Sequence, residues 1–378
     1  MEDEVKEVVE LLRELVAART VNPPGDELRG AEVLRDYLEG RGIPVEVDEF
    51  LPGRANLRAE VGEGGRTVLL TSHLDVVPPG REELWGGDPF VMRESGGRLY
   101  GRGTVDAKGS LASMAVAVAE LSGERLKGKV RFAAVAGEEV DGMGSKRLVE
   151  QGFLGDGVVV GEPTSLKVAV THKGRLRITL TVPGRASHAS RPEEGINPIL
   201  RAAGVISGMK LLSERFSERK HPLLGPCSLV FTVVSAGEKA NMIPDSCLLQ
   251  MDARVVPPWT VEEAREEVEK FVGRLSDELG FKIYVQVEAL GRPAATPPDE
   301  PLVRTAMDAV EVCGVNQEGP EGFGACCDMQ HFRAAGVPTI ILGPGELSQA
   351  HATDESVKEE EILRAVRVYR ELVRRFLC

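Results

Sequence analysis

Four short apolar runs do most to restrict what this chain can fold into: Thr67-Val68-Leu69-Leu70-Thr71, Val130-Arg131-Phe132-Ala133-Ala134-Val135, Val158-Val159-Val160 and Thr339-Ile340-Ile341-Leu342. Runs this short and rich in β-branched residues read as strands buried on both faces, which belong to a sheet covered by helices. Each is followed, at its end or one loop later, by a side chain able to bind a cation: His73, the pair Glu138-Glu139, Glu162 and His351. Open α/β sheets gather their ligands beyond the carboxyl ends of strands. The same arrangement met four times predicts one site built from distant segments.

The residue types narrow the chemistry. Glu138 and Glu139 are neighbours whose side chains project in different directions, so they suit two tasks: one carboxylate on a cation, the other moving a proton. Asp75 follows His73 by two residues and lies on the same side of an extended chain, where it would hold the second ring nitrogen. Asp106 sits in Gly101-Arg102-Gly103-Thr104-Val105-Asp106-Ala107-Lys108-Gly109, just ahead of a small apolar helix over 110–121, and its local reading is an N-cap. The glycines lack a following Gly-Lys-Ser/Thr, so nucleotide binding is not expected. Two His and several carboxylates, with no Cys among them, suit zinc, with cobalt or manganese as substitutes. Asp106, Glu139 and Glu162 bring three negative charges, and a bridging hydroxide a fourth, which two divalent ions would balance.

At 378 residues the chain has room for two domains. Between Lys173 and Leu290 the pattern changes to strand, helix, two strands, helix and strand, the last strand expected over Lys282 to Val287, which is the order of a ferredoxin-like unit. The expected division is therefore 1–172 and 291–378 for one domain, with 173–290 inserted. A net charge of −13 argues against nucleic acid and anionic membranes as partners. No stretch has the apolar length of a membrane span and the start is acidic, so a cytoplasmic location is expected. The six Cys lack Cys-x-x-Cys spacing and read as reduced thiols.

Five ordered motifs, Ser-His-Leu-Asp at 72–75, Gly-Arg-Gly-Thr-Val-Asp-Ala-Lys-Gly at 101–109, Gly-Glu-Glu at 137–139, Gly-Glu-Pro-Thr at 161–164 and Gly-Pro-Gly…Ala-His-x-x-Asp-Glu at 343–355, carry a resemblance over nearly the whole chain. The chain resembles the dinuclear zinc aminoacylase/carboxypeptidase family that includes acetylornithine deacetylase, succinyl-diaminopimelate desuccinylase and glutamate carboxypeptidase. The resemblance implies an α/β fold: a zinc-exopeptidase-like catalytic domain with a mixed central sheet flanked by helices, plus an inserted ferredoxin-like α+β domain acting as lid and dimer interface. It implies two zinc ions, one on His73, Asp106 and Glu162, the other on Asp106, Glu139 and His351. Asp75 would orient His73, and Glu138 would take the proton of a water shared by the metals as it attacks an amide. His188, in Gly184-Arg185-Ala186-Ser187-His188-Ala189-Ser190, would stabilise the oxyanion, often across a homodimer. Asn241 and Arg254 match positions that hold the substrate and its carboxylate. Where many relatives carry Gly-Thr-Asp, this chain reads Gly324-Ala325-Cys326-Cys327-Asp328; Gly324 and Cys327 are expected to line the pocket, and the acyl preference cannot be carried over. The implied activity is hydrolysis of an N-acyl amino acid, the alternative an exopeptidase or dipeptidase on the same frame.

Overall fold

The four apolar runs lie side by side in the structure, a computed structural model that describes residues 2–378, with side chains from Lys6 onward. The chain divides into two units: one made of the segments up to Thr171, Ala295–Phe323 and Cys327–Cys378, the other of His172–Ala294 with Gly324–Cys326.

The first unit begins with helices α1 (Glu2–Ala17) and α2 (Glu27–Glu39) and strands β1 (Val45–Leu51), β2 (Arg54–Gly62) and β3 (Thr67–His73). There follow β4 (Arg93–Ser95), β5 (Arg98–Tyr100), α3 (Lys108–Ser122), β6 (Lys129–Val135), α4 (Met143–Glu150), β7 (Gly157–Val160) and β8 (Ala169–His172). Among the described residues its main sheet has nine strands, running β1, β2, β6, β3, β7, Thr339–Ile341, β8 and Ala294–Ala295, with Glu321–Phe323 also paired to β8. Strands β6, β3, β7 and Thr339–Ile341 are mutually parallel, while β1 and β2 add an antiparallel edge. Every residue of β7 and of Thr339–Ile341 is buried, as two-sided helix cover demands. Helix α3 is buried on almost all sides, which its run of Ala, Val, Leu and Met permits. The helix Glu359–Phe376 is amphipathic and buries Ile362, Ala365, Val366, Tyr369, Leu372, Val373 and Phe376. Tyr369 Oη donates to the Leu342 carbonyl at 2.8 Å, fixing this helix to the end of strand Thr339–Ile341.

The second unit has a four-stranded antiparallel sheet in the order Ser228–Ser235, Ser246–Val255, Gly174–Pro183, Tyr284–Gly291, with helices Pro198–Glu218 and Val261–Leu279 in the connections. Alternate residues of Gly174–Pro183, among them Leu176, Ile178, Leu180 and Val182, enter a core with Phe216, Val268 and Leu249. A capping box at Thr260 and Glu263 starts the second helix, and Gly280, at φ 71°, ends it. The last strand starts at Tyr284 rather than Lys282, because the helix termination uses the residues before it: the Phe281 N–H donates to the Ser276 carbonyl and the Ile283 N–H to Ser276 Oγ. No helix among the described residues is long and apolar enough to cross a membrane.

Gly144 decides how closely α4 can follow β6. A Cβ there would fall 2.5 Å from the Ala136 nitrogen, the Ala136 oxygen and Asn56 Oδ1. Gly144→Ala is expected to lower stability by about 1–3 kcal/mol, read as a lower urea midpoint. Gly152→Ala, where nothing lies within 4 Å, should cost no more than about 1–2 kcal/mol, from its left-handed backbone alone. A larger loss at position 152 than at 144 would show that this close approach is not limiting.

Candidate metal centre

The parallel strands end together, and their ligand-type side chains meet there. His73 Nε2 lies 3.0 Å from Asp106 Oδ1 and 3.9 Å from Glu162 Oε1. His351 Nε2 lies 3.2 Å from Asp106 Oδ2 and 3.1 Å from Glu139 Oε1. Asp106 thus turns one oxygen toward each imidazole. It is not a helix cap: α3 starts at Lys108 after Ala107, with no side-chain cap.

The tautomer of His73 follows from its other nitrogen. Nδ1 faces the Asp75 carbonyl at 2.9 Å, an acceptor only, so Nδ1 carries a proton and Nε2 is the atom turned to the cluster, free to give its lone pair to a cation once deprotonated. The Asp75 carboxylate is farther, 3.6 Å from Nδ1. Its oxygens serve the next ligand turn instead: Oδ1 accepts the Gly137 and Glu138 N–H groups at 3.1 and 3.2 Å, and Oδ2 accepts Glu139 N–H at 3.1 Å and Asn22 Nδ2 at 2.9 Å. Asp75 therefore orients His73 through its backbone and the Glu138-Glu139 turn through its side chain.

The donor set fits divalent cations. One ligand atom each from His73, Asp106 and Glu139 lies within 4.8 Å of the others. Two donors about 2.1 Å from a tetrahedral ion are about 3.4 Å apart, and the separations here run from 3.0 to 3.9 Å. Glu162 Oε1 is buried with no hydrogen-bond partner among the described residues, which in a carboxylate calls for a cation. Electrostatics agree. Burial, then the Glu162 charge, pushes Glu138 well above the usual carboxylate range. Burial does the same to Glu162, with relief from His73 offset by Asp106. Asp106 is held low, because bonds to His351 and His73 overcome its burial. Hydrogen bonds to Asp106 and Glu139 raise His351 to about 10.

Of the other expected site residues, His188, Asn241, Arg254 and Gly324 belong to the second unit and Cys327 to the first. His188 and Asn241 are exposed on the second unit, brought together by a ladder in which His188 pairs with Met242 and Ala189 N–H donates to the Asn241 carbonyl at 2.9 Å. Ser190 N–H donates to His188 Nδ1 at 3.2 Å, so neutral His188 carries its proton on Nε2. Arg254 stands opposite Arg175 across a strand pair, and both hold Asp252, at 2.8 and 2.6 Å. Gly324 is exposed and Cys327 buried, and the cysteines form no disulfide among the described residues. Motif reading passed over Asn22, Arg102 and Glu355. Arg102 stood in the motif at 101–109 and Glu355 closed the one at 343–355, but neither carried a signal of its task.

A sheet with ligand-type side chains gathered at its carboxyl edge fits a metal-dependent hydrolase, and comparison with known proteins makes the class specific. The model of peptidase family M20/M25/M40 matches residues 69–375, and the chain belongs to that family. A probable succinyl-diaminopimelate desuccinylase of Staphylococcus epidermidis is 26% identical over 399 residues, covering 98% of this chain and 97% of the relative. An acetylornithine deacetylase of Pasteurella multocida is 31% identical over 338 residues, covering 88% and 86%. Among solved structures, an M20 family metallo-carboxypeptidase of Sulfolobus solfataricus superposes with a TM-score of 0.80 at 19% identity, covering 100% of this chain and 99% of that one. A dinuclear metal binding M20 peptidase of Bacillus subtilis gives 0.73 at 18% identity, covering 100% and 99%.

The clustered charge sets an expectation for the metal-stripped protein. His351, raised to about 10, stabilises the fold fully below its unfolded value of about 6.5 and loses that contribution as pH climbs through its folded one. Glu138 and Glu162, also raised, act with the same sign; lowered Asp106 matters only in acid. Stripped protein should melt at a lower temperature at pH 9 than at pH 6.5. Zinc or cobalt at a hundred times its dissociation constant should restore about 2.7 kcal/mol. Melting that ignores both pH and every divalent ion would overturn the cluster as a cation site.

Proposed function

We propose that the protein hydrolyses the amide bond of an N-acyl amino acid, of the acetylornithine or succinyl-diaminopimelate kind, with two divalent ions, zinc foremost and cobalt or manganese as substitutes. His73, Asp106 and Glu162 would hold one ion; Asp106, Glu139 and His351 the other. The observation that carries the reading is Asp106, with one oxygen toward each imidazole, beside the unpartnered oxygen of Glu162. When bound, such ions polarise a carbonyl and bring the pKa of a water toward about 7.

The chain's own residues then have distinct tasks. Glu138 is the general base: its carboxylate takes the proton of the attacking water and passes it to the departing nitrogen. Its environment supports this, since burial and neighbouring carboxylates favour the protonated form it must reach in mid-reaction. Asp75 keeps Glu138 and Glu139 in place by gripping their backbone. His188 is assigned the oxyanion, supported by a neutral tautomer that places its proton on Nε2. Asn241, next to it on the same ladder, would meet the substrate. Arg254 is assigned the substrate carboxylate: with Arg175 it forms two guanidiniums around a single Asp252, a net positive charge. Gly324 and Cys327 are assigned to the pocket lining. In this reading 173–290 is a lid and pairing domain between catalytic segments 1–172 and 291–378, and two copies associate through it.

A second reading, exopeptidase or dipeptidase, is favoured by the likeness to the Sulfolobus solfataricus metallo-carboxypeptidase. A panel of N-acetyl and N-succinyl amino acids against dipeptides separates the two; cleavage of dipeptides alone would reverse the ranking. Glu138→Gln should retain its metal and lose turnover by about 10²–10⁴, measured as kcat beside metal content. Unchanged kcat would remove Glu138 from the reaction.

A further inference from the structure

Glu355 lies four residues beyond His351, fully buried, and its carboxylate is directed at another ligand's loop. Oε1 accepts backbone N–H groups from Gly103 at 3.1 Å, Val105 at 2.8 Å and Asp106 at 3.1 Å. Oε2 accepts Arg102 Nη1 at 2.6 Å, and that guanidinium, itself buried, stacks 5.1 Å from the Trp85 ring. The backbones are joined as well: Gly101 N–H donates to the Glu355 carbonyl at 3.0 Å, and the adjoining Ser356–Lys358 pairs with β5, which leads into the Asp106 loop. On the other side of Glu355, the turn from His351 holds two non-glycine residues in the left-handed region, His351 at φ 61° and Asp354 at φ 55°. Side chains seldom adopt that conformation unless their surroundings hold it. Here Asp354 Oδ1 is held by Gly86 N–H at 2.9 Å and Arg93 Nη2 at 2.6 Å.

We infer that Glu355 is a positioning residue that locks the Asp106 loop to the His351 turn, so that both ligands meet a cation as one preset unit. The inference rests on the ligand assignment proposed above. A buried carboxylate needed only to neutralise Arg102 would have no use for three amides of one loop. Their convergence on a single oxygen fixes the path of the backbone into Asp106, and the four-residue spacing brings His351 with it.

Cobalt(II) titration of stripped protein, by chelator competition and by the cobalt absorption spectrum, tests this, with circular dichroism to confirm folding. Glu355→Asp keeps a charge for Arg102 but is too short to serve the amides as well; Glu355→Gln keeps the length and loses the charge. Both should bind cobalt about 10–100-fold more weakly than the unaltered chain, with an altered spectrum. Folded variants with unchanged affinity and spectrum, even if they melt earlier, would reduce Glu355 to a structural role and overturn the inference. Should neither fold, Arg102→Met combined with Glu355→Gln leaves no buried charge unpaired and carries the same test. Failure of the unaltered chain to bind cobalt would instead overturn the metal centre itself.

Discussion

The structure depends on holding like charges together. Asp106, Glu138, Glu139 and Glu162 converge at one edge of a sheet, and bringing carboxylates out of water beside one another is costly. Two imidazoles offset part of that repulsion, with Asp106 shared between them. The remaining surroundings serve to keep the groups from relaxing apart. Four parallel strands, paired residue by residue, allow little slippage where a one-residue shift would turn every side chain to the wrong face.

Rigidity at the ends of those strands comes from a second tier of carboxylates that face amides, not imidazoles. Asp75 grips the Gly137, Glu138 and Glu139 N–H groups; Glu355 grips those of Gly103, Val105 and Asp106. Each turns a glycine-containing loop, which by composition should be loose, into one with a fixed path. Charged acceptors suit the purpose, since bonds from amides to an ionised carboxylate are short and strong.

Much of this was legible in the sequence. The strands could be found because two-sided burial leaves a compact apolar signature, and the clustered ligand-type side chains because they stand just past it, as His73 and Glu162 do. Asp106 was harder: ahead of a helix, an Asp is ordinarily a cap, and only its neighbours in space separate the two readings. The grip of Asp75 and of Glu355 on backbone amides had no signature, because a side chain accepting from such amides constrains the identity of one residue and leaves its partners free. The same holds for Arg254, whose bond to Asp252 and opposition to Arg175 depend on strand register rather than on any motif. The strand expected at Lys282 began two residues later because termination of the preceding helix draws on Phe281 and Ile283, a demand that strand propensity does not reveal.

The two imidazoles differ sharply in their access to water. The side chain of His73 is 1% exposed and that of His351 53%. The cluster therefore has a closed flank and an open one. On the assignment proposed above, an ion held by His351 would exchange with the medium more readily than one held by His73, so a preparation caught partway through loading would hold one kind of half-filled molecule in excess over the other.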